Sequence, residues 1–190
     1  MLANQTQLNI MEKTISPSKS ATPFGVLFGI IMILQFVIAY VLEINPASNK
    51  VYGITINLLN YLILPIALIL IGCNNYKNKL NSGFISFGEA LKVGVTICVI
   101  AGLLYAVFSG IFNLIFPEFA EKMLNSARET MLQQNPDMPK EQMEMGLSIA
   151  KKFMNPAIAI PITIVMFAFI GLIYSLIIGA IVKKERPIGY

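Results

Sequence analysis

Histidine is missing from this 190-residue chain, cysteine occurs twice, and charged residues make up only 13% of it. The lack of histidine removes the commonest general base and the commonest transition-metal ligand. Cys73 and Cys98 each fall in or beside a hydrophobic run, which excludes a disulfide framework and any Cys-x-x-Cys metal site. No Ser-His or Cys-His pair can be assembled, no Gly-rich phosphate loop occurs, and no two acids share an apolar run. The chain therefore reads as non-enzymatic, with no catalytic, cofactor-binding or metal residues expected. Average soluble domains carry about 25% charged residues, so the scarcity of charge also argues against a soluble fold.

What the chain does have is apolar surface: 56% of its residues are hydrophobic. They gather into four runs, Phe24 to Leu42, Val51 to Cys73, a third free of charge from Val93 to Phe116, and Ala157 to Val182. About 20 apolar residues cross the roughly 30 Å of bilayer hydrocarbon as a helix, and each run is long enough. Ten-residue alternating segments, the mark of a membrane barrel, do not recur. The expectation is an all-α integral membrane protein with spans at about 24–42, 51–73, 88–116 and 157–182, in one membrane domain covering 23–187. Residues 1–22 are polar and turn-prone, so a disordered cytoplasmic tail is expected there. The run that follows lacks a cleavage site and reads as a retained anchor, and Met11 offers an alternative start.

The connections between runs differ. Asn45 and Pro46 suggest a tight turn after the first, and Asn74 to Gly83 reads as a polar connection after the second. The segment 117–155 carries both acids and bases. Ala120, Leu124, Ala127 and Met131 follow a four-three-four spacing, as do Met143, Leu147, Ala150 and Met154, with Asn135, Pro136 and Asp137 between them. That pattern predicts an amphipathic helical hairpin lying on the membrane surface. Lys13, Lys19, Lys77, Lys79, Lys183, Lys184 and Arg186 collect on one side, which by the positive-inside rule becomes cytoplasmic. Both termini are then cytoplasmic and the hairpin external. The net charge of +4 follows from topology and needs no nucleic-acid partner.

Four features invite a functional reading, and each has a structural one. Ser86, Ala90, Gly94, Cys98, Gly102, Ala106 and Gly110 place a small residue at every fourth position of the third run. Gly171, Ser175 and Gly179 mirror them in the fourth, and Gly25 and Gly29 open the first. Such ladders let membrane helices cross closely; a pore lining is the alternative. Glu89 and Lys92 are ionisable groups at the membrane edge, but Ser86 and Glu89 have capping-box spacing. Asn57, Asn60 and Gln35 are amides in apolar runs, expected to bond neighbouring helices or to line a cavity. Pro65 should kink the second span and free the Tyr61 carbonyl. Met123, Met131, Met138, Met143, Met145 and Met154 crowd the hairpin, as apolar filler or, through Met143 and Met145, as soft ligands for Cu(I).

The third run opens with Gly83, Phe84, Ile85, Ser86, Phe87, Gly88, Glu89 and Ala90, and the fourth closes on Gly179 before Lys183, Lys184 and Glu185. With four spans and a long segment before the last, the chain resembles an uncharacterised bacterial membrane family common among Bacteroidetes, domain of unknown function family 4199. The resemblance covers roughly Ser16 to Pro187. It implies a bacterial inner-membrane location and carries over no functional residues. The leading expectation is a scaffold or accessory membrane subunit whose partners are the lipid bilayer and a second copy or another membrane protein. The alternative is a small transporter or channel for a neutral or weakly polar solute.

Overall fold

The structure is a computed structural model that describes residues 15–44 and 49–186. The expected tail over residues 1–14, the turn at Asn45 and Pro46, and residues 187–190 lie outside the described residues. Among the described residues six helices follow one another: α1 (Pro17–Val41), α2 (Lys50–Leu80), α3 (Phe87–Ile115), α4 (Pro117–Gln134), α5 (Lys140–Met154) and α6 (Pro156–Val182). Helices α1, α2, α3 and α6 are long and apolar enough to cross a membrane. The fold is an all-helical multi-pass bundle, as its runs predict.

Two boundaries differ from the sequence expectation. Helix α1 begins at Pro17 instead of near Phe24, because the Ser16 hydroxyl accepts the Lys19 N–H at 3.3 Å and Pro17 occupies the first turn. Proline is suited to that position, where its missing N–H is not needed. The tail expected to run to Thr22 is thus helical from Pro17. Helix α2 runs past Cys73 to Leu80, its last turn widened to π geometry over Tyr76–Leu80. Lys77 and Lys79 in that turn oppose the negative end of the helix. Ser82 and Gly83, both at positive φ (54° and 84°), then reverse the chain.

Helix α3 is the centre of the bundle, and α6 lies along it for its whole length. The contacts run antiparallel: Gly179 meets Ala90, Gly171 meets Cys98, Gly102 meets Phe167, and Gly110 meets Pro156. A Cβ added at Gly102 would stand 2.7 Å from the Phe167 Cβ, closer than real side chains approach. On another side of α3, Gly25 and Gly29 bring α1 against Ile100 and Leu104, with would-be Cβ distances of 2.8 and 2.9 Å. The small-residue ladder is a packing device, since lipid supplies no hydrophobic push and close contact has to hold the helices.

Pro65, having no N–H, cannot serve the carbonyl four residues before it. A π turn over Leu59–Ile63 precedes it, and the Tyr61 carbonyl that the proline leaves without an intrahelical donor accepts the Tyr174 hydroxyl of α6 at 2.8 Å. Towards the hairpin, Phe36 and Tyr40 of α1 stack edgewise with Phe112 and Phe119, at centroid distances of 4.9 to 5.8 Å. Phe116 joins Phe112 at 4.7 Å. This aromatic cluster ties the first turn of α4 to the end of α1. Single residues, Phe116 and Asn155, separate the hairpin legs from α3 and α6.

Candidate functional site

The densest polar network gathers where α1 begins and α6 ends, hereafter the terminal end. Ser86 starts α3 from extended backbone, and its hydroxyl accepts the Glu89 N–H at 3.3 Å. Glu89 reaches back, its Oε2 accepting the Ser86 N–H at 2.7 Å. The capping box read from the sequence is therefore formed. The other carboxylate oxygen, Oε1, accepts the Tyr76 hydroxyl at 3.0 Å. Both oxygens are occupied by structural donors, which leaves Glu89 holding α3 to the end of α2. Lys92 does not join it and stands exposed.

The chain after α6 is stitched into the same place. Ile85 and Lys184 form an antiparallel bridge, with N–H to carbonyl distances of 3.0 and 2.8 Å. Lys77 Nζ donates to the Val182 carbonyl at 2.8 Å, and Arg186 donates to Asn81 Oδ1 at 2.6 Å. Asn81 Nδ2 in turn donates to the Phe84 carbonyl, while Lys184 Nζ lies 5.4 Å over the Phe84 ring. Asn81, Phe84, Ser86, Lys184 and Arg186 rim a depression of about 270 Å³ that also includes Glu89 and Glu185. Lys184 and Arg186 balance Glu89 and Glu185 around it, and Arg186 is already engaged by Asn81. The stretch from Phe84 to Ala90 thus acts as a clamp on the bundle end. Tyr76 and Asn81 were not singled out in the sequence, and Arg186 only as a base that sets orientation, because their partners are remote along the chain or carry no pattern.

Within the spans the amides separate. Asn60 is buried, and Asn57 is exposed on the opening stretch of α2, Lys50–Leu58, which contributes no buried residue. The bonds to neighbouring helices expected of these amides are not made at the Asn60 Oδ1 or Gln35 Oε1 atoms, which are buried without a partner. The π turn sets where Asn60 points, so spacing alone could not place it.

The hairpin predicted for 117–155 is present, broken at 135–139. Its two predicted stripes are half-buried. Met131 of α4 reaches the α5 backbone at Gly146. Met143 and Met145 do not form a pair, since positions two apart on a helix point about 200° from each other; Met143 turns inward and Met145 is 63% exposed. One broad face of the hairpin carries a cleft of about 420 Å³ with Glu121 and Arg128 on α4 and Glu144 and Lys151 on α5.

Comparison with known proteins adds one match. The model of a family described as protein of unknown function (DUF4199) fits residues 23–184. No curated protein and no solved structure matches the chain.

Proposed function

The chain belongs to the DUF4199 family of proteins of unknown function, and from its own residues we propose a non-catalytic accessory or scaffold subunit of a bacterial inner membrane. The observation that carries this reading is the use of the ladder: Gly94, Cys98 and Gly102 are each filled by α6, which leaves no groove along the helix best suited to line one. Glu89 is likewise engaged at both oxygens. The hairpin, with its charged cleft, is the part left to meet a surface or a partner, including a second copy.

A transporter for a small neutral solute is the second reading, favoured by the unpartnered oxygens of Asn60 and Gln35. Shrink–swell measurements on reconstituted vesicles separate the two. The accessory reading expects glycerol and urea to equilibrate at the rate of empty vesicles. Faster entry that disappears in Asn60→Leu would establish the transporter instead.

The orientation follows from Lys19, Lys77, Lys79, Lys183, Lys184 and Arg186 at the terminal end. Alkaline phosphatase fused after Pro136 should be active, and fused after Lys79 or at Tyr190 inactive. The opposite pattern would invert the topology and leave the span count intact.

A further inference from the structure

The hairpin has two unlike faces. At about 100° per residue, the α5 side chains that line the cleft (Glu144, Leu147, Ser148 and Lys151) centre about 150° from a second stripe, Met145, Ile149 and Phe153. That stripe is apolar and uncovered, with exposures of 63%, 48% and 51%. On α4, Phe119 lies about 170° around the helix from the cleft residues Glu121, Leu124, Asn125 and Arg128. In an antiparallel pair the sectors turned from the cleft fall on one common face, so Phe119 and the α5 stripe share it.

Phe119 fixes which way this face looks. Its ring lies 5.4 Å from Phe36 and 5.8 Å from Tyr40, in the last turns of the membrane-spanning α1. The apolar face is therefore directed at the spans and the charged cleft away from them. Phe153 is also close to the bilayer by chain length alone. Only Met154 and Asn155 separate it from Pro156, the start of α6, and a fully extended chain covers at most about 3.6 Å per residue.

We propose that the hairpin lies on the bilayer as an amphipathic two-helix layer, with Met145, Ile149 and Phe153 seated at the boundary of headgroups and acyl chains and the cleft facing water. The occupant of the stripe is phospholipid. This arrangement deepens the accessory reading by naming what the hairpin rests on and which face stays open. The shrink–swell assay tests that reading separately, since it does not depend on where the hairpin lies.

The chain contains no tryptophan, so one introduced indole is the sole tryptophan emitter in the full-length protein. Ile149→Trp, Phe153→Trp and Glu144→Trp are each reconstituted into phosphatidylcholine vesicles with plain or brominated acyl chains. Each must first melt in detergent with the parent, and Phe153→Trp supplies an aromatic exchange should Ile149→Trp misfold. The stripe variants should lose about half their emission to bromine and resist aqueous iodide, whereas Glu144→Trp should lose about a tenth to bromine and yield to iodide. Stripe emission open to iodide and untouched by bromine would mean that the hairpin stands clear of the membrane. Stripe emission shielded from both would place protein, such as a second copy, on that face. Either result overturns the proposal.

Discussion

A Gly102→Leu protein is expected to melt in detergent far below the parent, or to give little folded material. The Phe167 Cβ that blocks the site is attached directly to its backbone, so no change of rotamer makes room. Over-packing a tight site costs about 1–3 kcal/mol, and a contact between two helix backbones belongs at the upper end. Separation of α3 from α6 finds no compensation, because lipid tails are as apolar as the side chains released. Val107→Leu, at a position 40% exposed on the same helix, serves as the control and should melt with the parent. If the two variants behave alike, the ladder does not hold the bundle and an open conduit along α3 returns.

Phe112→Ala should be nearly as damaging, with its effect concentrated in the hairpin. Phe112 is 8% exposed and meets Phe36 and Tyr40 of α1, Phe108 and Phe116 on its own chain segment, and Phe119 of α4. Truncating a packed phenylalanine costs about 3–5 kcal/mol. The empty space should free α4 from α1, so hydrogen exchange across 117–154 should quicken more than exchange in α3. Phe169→Ala, at an exposed site on α6, should change neither. Unaltered protection of the hairpin in Phe112→Ala would show that something other than these rings fixes its angle.

What could be read from the sequence was local or periodic. The spans follow from uninterrupted apolar length, the α3–α6 crossing from a four-residue recurrence of small side chains, and the capping box from a serine three positions before a glutamate. The hairpin was legible for the same reason, since two four-three-four stripes flank Asn135 and Pro136. The features that escaped depend on pairs distant in the chain. Phe112, Phe116 and Phe119 are close in sequence, but nothing in that spacing names Phe36 and Tyr40 as their neighbours. Pro65 announces a carbonyl in need of a donor, without indicating that Tyr174 supplies it. The terminal clamp is partly legible: Ser86 and Glu89 can be read, whereas Tyr76, Asn81 and Arg186 owe their roles to a tertiary arrangement. The extension of α2 to Leu80 belongs to the same class, because Lys77 is held by Val182.

The stitching of that clamp also orders the assembly of the molecule in time. Lys77 and Asn81 find their partners 105 residues later, and between them lie α3, the hairpin and α6. During synthesis the segment from Lys77 to Ile85 therefore leaves the ribosome with the Lys77 ammonium, the Asn81 Oδ1 and the Ile85 N–H and carbonyl served only by water. Helices inserted one by one can assemble afterwards, and α1 can settle on α3 while the terminal end is still loose. Closure of that end waits for the fourth span, α6, to enter the membrane, so the bridge between Ile85 and Lys184 is the mark of a finished bundle.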